Sequence, residues 1–341
     1  MIEKMNNQNK HTASDLKQMQ ALPLEAKVRM TKTRIRDWYE YWNGLVYVSF
    51  SGGKDSTVLK HLVDSMYSDV PTVFVNTGLE YPEIQKFVRD VKSAKYYCFN
   101  SDVEILKPEM RFDEVIKTYG YPVTTKDIAK KINHAQKGHE YVKKYFDGTA
   151  VDKHGNLSKF NCKKWKYLID APFKVSHECC DVMKKKPISK YEKESRRKPF
   201  LGTMASESLM REQSWLKTGC NAFESKRPIS KPLSFWTDQD ILEYIVKYDI
   251  PYASVYGQIN ECEEIDGQMF LDGFHGKLRT SGADRTGCMF CMFGCHLEKE
   301  PNRFQRMKET HPKQYAYCMK SVEKGGLGIK EILEYIGVPY E

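Results

Sequence analysis

Apolar positions recur every three or four residues between 13 and 42, at Leu16, Met19, Leu22, Leu24, Val28, Met30, Ile35 and Trp38. That period predicts an amphipathic helical lead-in, interrupted near Pro23. The rhythm then changes. Val46, Val48 and Phe50 are strand formers in a short segment, and residues 56–67 (STVLKHLVDSMY) return to helical spacing through Val58, Leu59, Leu62, Val63 and Met66. A second apolar run in PTVFV (71–75) predicts a buried strand, and KYYCFN (95–100) predicts a third. Strand and helix alternate in this way to about residue 118, which predicts an α/β fold, Rossmann-like: a parallel twisted sheet with flanking helices, its ligand outside the carboxyl ends of the strands. Residues 147–161 form a polar loop, and Phe200-Leu201-Gly202-Thr203 is a further strand ending beside the ligand site. Thr237 suits the N-cap of a helix that gathers Ile241, Leu242 and Ile245 on one face. The expected organisation is an N-terminal helical segment (1–45), an α/β domain holding the ligand site (46–256) and a Cys-rich C-terminal region (257–341) packing on it.

The first strand runs into Ser51-Gly52-Gly53-Lys54-Asp55-Ser56. Glycine permits positive φ and leaves no Cβ in the way, so successive backbone N–H groups can converge on an anion at the positive end of the next helix. Such a loop is a phosphate cradle. A Walker A loop requires Gly-Lys followed directly by Ser or Thr, and Asp55 follows Lys54 here, so that pattern is excluded. Length, at 341 residues, allows a large core, and a formal charge of +9 favours anionic partners without naming one. The N-terminus lacks an apolar signal core and no run of about 18 apolar residues occurs, so the expectation is a cytoplasmic protein with no membrane partner. Ten cysteines in a reducing compartment point away from a disulfide framework and toward metal or redox chemistry.

The Ser51–Ser56 loop resembles the PP-loop of the adenine-nucleotide α-hydrolase superfamily. Within it, Asn76-Thr77-Gly78-Leu79-Glu80 at the end of the second strand is similar to the Asp-Thr-Gly element of phosphoadenosine phosphosulfate (PAPS) reductases, with Asn76 in place of the aspartate. Leu201-Gly202-Thr203-Met204, leading to Ser208, Arg211, Gln213 and Ser214, resembles their Gly-x-Arg…Gln-Ser segment, with Met204 where an arginine is common. The stretch from Pro232 to Tyr252 is similar to their Pro-Leu-x-x-Trp-Thr-x-x-Asp-Ile…Ile-Pro-Tyr block. The resemblance implies that Ser51, Gly52, Gly53, Lys54, Asp55 and Ser56 cradle phosphates. Asn76, Thr77, Gly78 and Glu80 would lie near adenosine or a metal, and Arg211 would approach the α-phosphate or sulfonyl group. Lys54, Asp55 and Arg211 are the expected catalytic residues, with Mg²⁺ offsetting phosphate charge.

Cys179-Cys180 and Cys288-x-x-Cys291-x-x-x-Cys295 are the clustered cysteines. A CxxC pair with a remote second pair supplies four soft ligands, suiting either a [4Fe–4S] cluster or tetrahedral zinc, and buried thiols are the plain alternative. The adjacent Cys-Cys resembles the cluster-holding arrangement of adenosine phosphosulfate (APS) and related reductases, which implies ligation by Cys179, Cys180, Cys288 and Cys291. Cys295 and Cys162 are surplus candidates, His296 a supporting residue, and Cys98 and Cys318 packing residues.

Three functions follow from these residues. One is ATP pyrophosphatase or adenylation chemistry supporting iron–sulfur-dependent sulfur transfer, with a sulfur donor and a nucleic acid or other anionic acceptor. Basic stretches over 126–144 and 163–198, interleaved with Tyr141, Tyr145, Phe160 and Trp165, fit a polyanion or a solvated face. Another is a PAPS or APS reductase that releases sulfite with a thiol-reductant protein; family reductases use a cysteine near the C-terminus, and no cysteine follows Cys318 here. The last is a non-enzymatic nucleotide-sensing accessory protein. The sequence leaves room for a homo-oligomer.

Overall fold

A computed structural model describes residues 10–262 and 277–341. The chain folds into two compact units, one formed by residues 1–76, 81–106 and 188–286, the other by 77–80, 107–187 and 287–341.

The first unit begins with α1 (Ala13–Gln20), whose N-terminus is closed by a capping box between Thr12 and Asp15. Pro23 starts α2 (Leu24–Tyr41), which buries Leu24, Lys27, Thr31, Ile35 and Trp38 along one stripe. Lys27 reaches Asp240 inside this packing, with its Nζ 2.7 Å from both carboxylate oxygens. Strand β1 (Val46–Ser49) is buried on both faces, the signature of a central strand in a parallel sheet. Helix α3 (Lys54–Asp64) follows, then β2 (Thr72–Val75), α4 (Pro82–Lys92) and β3 (Val103–Leu106).

The third strand lies downstream of the expected KYYCFN segment. Tyr97 is fully exposed, while Tyr96 and Phe99 pack their rings against Phe87. The main chain there is turned by Lys95 N–H donating to Asp90 O, and Asn100 N–H donates to the Asp64 carboxylate. Aromatic strand propensity was outweighed by these tertiary contacts. Val103 then pairs with Thr72, starting β3.

In the second unit the chain forms α5 (Phe112–Tyr119), α6 (Lys126–Gln136) and α7 (Lys143–Asp147), and it carries Cys179-Cys180 into a single π-helical turn at Asp181–Lys185. Helix α8 (Lys186–Ser195) leads back to the first unit and β4 (Lys198–Leu201), in agreement with the strand expected there. Then come α9 (Leu209–Thr218), β5 (Asn221–Ala222), β6 (Ile229–Ser230) and α10 (Asp238–Lys247), the last capped by Thr237 with Asp240 as its reciprocal partner. A two-stranded ribbon of β7 (Ile259–Cys262) and β8 (Lys277–Thr280) completes the first unit, and α11 (Arg303–Thr310), α12 (Pro312–Met319) and α13 (Ile329–Tyr335) belong to the second.

The main sheet has the order β3-β2-β1-β4-β6-β5, parallel except for the β5–β6 edge pair. The expected α/β class with a parallel sheet is what forms. The order reverses at β1, which has β2 on one side and β4 on the other, so the crevice beyond β1 is the topological switch point where α/β sheets bind ligands.

Candidate functional site

The glycine-rich loop occupies that switch point. Gly52 has φ +72°, and a Cβ there would sit 2.8 Å from Ile84 Cγ2, so both conformation and space demand glycine. Gly53 is the N-cap of α3. Side chains buttress the turn: Ser56 Oγ donates to Gly53 O at 2.9 Å, Thr57 Oγ1 donates to the same oxygen at 3.0 Å, and the Ser51 and Ser56 hydroxyls lie 3.0 Å apart. These bonds start the helix at Lys54, two residues before the apolar periodicity does.

Lys54 Nζ lies 3.2 Å from Asp55 Oδ1 and 3.1 Å from Asp238 Oδ1. Burial pulls the lysine pKa down, but the two carboxylates outweigh it and hold it above its ordinary value. Burial pushes the Asp55 carboxyl up, with Lys54 opposing. The loop therefore presents one ammonium and two carboxylates beside the N-terminus of α3. Gly202, just past β4, packs against the first turn of that helix: a Cβ on it would lie 3.0 Å from Asp55 O and 3.0 Å from Ser56 Cα.

A second group of charges in the same unit surrounds Glu207. Arg211 pairs with it, and Arg285 Nη2 donates to Glu207 Oε1 at 2.9 Å. Burial, then the neighbouring Arg285, lowers the Arg211 pKa, and burial followed by Arg211 lowers that of Lys231, whose Nζ donates to Ser214 Oγ at 2.7 Å. Asp55 is within electrostatic reach of both Arg211 and Arg285.

Asn76 closes β2 by donating its N–H to Leu106 O at 2.9 Å. In the second unit, Thr77 donates to Glu80 through its N–H at 3.0 Å and its hydroxyl at 2.7 Å, while Gly78 takes φ +74°. Glu80 also acts on Lys184. Burial pulls that lysine down, but Cys288 and then Glu80 more than compensate and hold its pKa up.

The cysteine pairs converge in this unit. Burial, then the neighbouring Cys180, Cys288 and Cys291, push the Cys179 thiol well above its ordinary range. Burial pushes Cys288 up to about 11 against the pull of Lys184. Cys291 is raised by burial, with Cys180 adding to it, and Cys295 is pushed up to about 11 by burial with Arg303 opposing. Cys98, Cys162, Cys179, Cys180, Cys220, Cys288, Cys291, Cys295 and Cys318 are free thiols. Among the described residues, no three or more His, Cys, Asp or Glu side chains already stand in metal-holding geometry. In donor chemistry the four thiols fit a thiophilic metal or cluster, because Cys179, Cys288 and Cys291 are each held protonated by burial and by neighbouring cysteines, a cost that a bound cation would relieve.

The sequence pattern of the phosphoadenosine phosphosulfate reductase domain matches residues 45–151 and 124–293. The chain belongs to the PAPS reductase family. Two uncharacterized proteins of Methanocaldococcus jannaschii are 24% identical over 303 and 280 residues, covering 88% and 82% of this chain but only 53% and 42% of their own length. This PAPS reductase family member thus spans about half the length of those relatives. The adenosine 5'-phosphosulfate reductase of Staphylococcus haemolyticus is 22% identical over 276 residues, 78% of this chain and 87% of that one. A phosphoadenylyl-sulfate reductase structure from Candida auris, a phosphate complex, covers 72% of this chain and 92% of its own at 16% identity, with a TM-score of 0.38.

Among the residues singled out from sequence, Ser51 to Ser56 form one continuous turn of this family member, and Arg211 is within electrostatic reach of Asp55. Cys179, Cys180, Cys288 and Cys291 share one electrostatic neighbourhood with Lys184. Motif reading missed Asp238, Arg285 and Lys231, and also Tyr256, whose hydroxyl accepts the Lys54 N–H at 3.3 Å, and Thr286, whose hydroxyl lies 2.7 Å from that of Tyr256. Asp238 lies beside Thr237 in a stretch read from sequence as a helix N-terminus, and the other four carry no local signal. Within the basic stretches, Lys126 and Lys185 pair with Asp181, Lys131 with Asp127, Lys143 with Glu140 and Lys166 with Asp147. Among the described residues no helix is long and apolar enough to cross a membrane.

Proposed function

We propose that this PAPS reductase family member is an enzyme acting at the α-phosphate of an adenine nucleotide, and specifically an ATP pyrophosphatase whose adenylated product supports sulfur transfer. The observation that carries this reading is the pairing of Lys54 with both Asp55 and Asp238 at the mouth of the glycine-rich loop. A triphosphate would take Lys54 as its counter-charge, and the two released carboxylates would then hold Mg²⁺, through water or directly. A sulfonucleotide has less need of that acidic pair. Backbone N–H groups of the Ser51–Ser56 turn would bind the departing pyrophosphate, Asn76, Thr77, Gly78 and Glu80 would contact adenosine or the metal, and Arg211 would stabilise charge at the α-phosphorus. An acceptor oxygen attacks that phosphorus and pyrophosphate leaves; sulfur from a donor then displaces AMP. The acceptor would be a nucleic acid or another anion, in keeping with the formal charge of +9. Cys179, Cys180, Cys288 and Cys291, with Cys295 in reserve, would hold a [4Fe–4S] cluster or zinc, which when bound would supply a site for sulfur.

A second reading, sulfonucleotide reduction with release of sulfite, is favoured by the likeness to the Staphylococcus haemolyticus enzyme. Anaerobically purified protein given Mg-ATP, or PAPS or APS with a thiol reductant, separates the two. Pyrophosphate with no sulfite supports adenylation, and sulfite without ATP cleavage supports reduction. Lys54→Ala should lower turnover by about tenfold to a thousandfold, as expected for loss of an electrostatic donor. Unchanged turnover would remove the loop from either account.

A further inference from the structure

Three hydroxyls meet over Gly53. A Cβ built on that residue would lie 3.2 Å from Tyr256 OH, 3.3 Å from Ser51 Oγ and 3.5 Å from Thr286 Oγ1. Its φ of −77° is open to any residue, so it is the space taken by these oxygens that glycine preserves. Tyr256 comes from a single 3₁₀ turn, Ser254–Tyr256, more than two hundred positions after the loop. Its ring is buried in the main core, and its carbonyl accepts from Gly282 N–H at 2.9 Å while Ala283 N–H donates to Val255 O at 2.9 Å. These two bonds carry the chain past Tyr256 so that Thr286 comes to its hydroxyl, with the two oxygens 2.7 Å apart.

Proton accounting gives the pair a use. Tyr256 OH accepts the Lys54 N–H at 3.3 Å, so that oxygen is fixed at the first turn of α3. Two hydroxyls have two protons, and their mutual bond uses one. Neither has another acceptor among the described residues, so one O–H remains to be donated, and with Thr286 as the donor of the mutual bond it is that of Tyr256. It stands beside the backbone N–H groups of the loop, where an anion is expected.

We propose that Tyr256 is an anion-binding residue of the loop, donating its hydroxyl proton to a phosphate or sulfonate oxygen, and that Thr286 is the positioning residue that orients it. This rests on the reading of the loop as a phosphate cradle. It extends that cradle from one contiguous motif to a composite site with neutral donors, which bind an oxyanion without adding to the charge already set by Lys54, Asp55 and Asp238.

The test is calorimetric titration of the 341-residue chain with inorganic pyrophosphate and with ATP, each with Mg²⁺. Tyr256→Phe keeps the ring in the core and should weaken binding by about tenfold to a hundredfold, the loss of one hydrogen bond to a charged group. Thr286→Val should weaken it less, and Thr286→Ser should restore it, a rescue that packing alone would not give. Wild-type affinity in Tyr256→Phe, alongside weakened binding in Lys54→Ala, would overturn the assignment of Tyr256 and leave the loop reading intact. Failure of wild-type protein to bind either ligand would overturn both.

Discussion

Gly202→Ala tests whether the β4 terminus sets the position of the glycine-rich loop. The added methyl would lie 3.0 Å from Asp55 O, 3.0 Å from Ser56 Cα and 3.1 Å from the Asp55 carbonyl carbon. Non-bonded carbons rest about 3.5–4.0 Å apart, so relief requires α3 to withdraw from β4 by about 0.5–1 Å. All three atoms are backbone, so no rotamer change can absorb the clash. Overpacking of this kind costs about 1–3 kcal/mol. The functional loss should be larger in proportion, because a misplacement of about 1 Å in a reacting group costs about 100-fold. Urea unfolding measures the first quantity, and titration with Mg-ATP or a sulfonucleotide, with turnover, the second. Gly287→Ala is the control, since a Cβ there meets nothing within 4 Å. If Gly202→Ala keeps wild-type stability and wild-type turnover, the strand end does not position the loop and the reasoning fails.

Lys27→Met should destabilise the protein by about 3–5 kcal/mol in urea unfolding, because it strands the buried Asp240 carboxylate, and adding Asp240→Asn should recover part of the loss; additive effects would show that the pair is not coupled. Replacing Cys288 and Cys291 together by Ser should abolish bound iron or zinc in anaerobically prepared protein, and metal content that survives would refute the ligand assignment. Burial, then the positive Lys32, lowers the His61 pKa below 6.5. The unfolded chain therefore takes up that proton first, so stability is full above 6.5 and declines as pH falls through 6.5 toward the depressed folded value. Urea midpoints should drop between about pH 7.5 and about pH 5.5, and less steeply in His61→Gln; an equal slope would clear His61 of the effect.

The parts legible in sequence were those in which a short segment determines its own conformation. Val46 to Thr57 contains the strand, the glycines and the helix start within a dozen residues, and Thr237 to Asp240 contains its whole cap. KYYCFN misled because its aromatic content is shared by strands and by rings that pack on helices; Phe87 in α4 decided between them. The rest of the site was illegible for a different reason. Arg285 and Thr286 reach Glu207 and Tyr256 only after the β7–β8 ribbon returns the chain, Tyr256 meets Lys54 across a large sequence separation, and their residue types suggest nothing by themselves. Asp238 was visible as part of a helix N-terminus, but its ion pair with Lys54 depends on how α10 packs against α3.

The second unit is assembled from stretches that leave the ribosome far apart in time. Cys180 emerges more than a hundred residues before Cys288, with the strands and helices of 188–286 made in between. At about 5–20 residues per second, the first thiol pair waits roughly 5–20 s for the second. During that interval Cys179 and Cys180 have neither the shelter nor the neighbours they have in the finished fold. Nascent chains are thus open to thiol oxidation in a way the folded protein, with Cys179 buried, is not, so the yield of correctly assembled protein should depend on the redox status of the cell during synthesis.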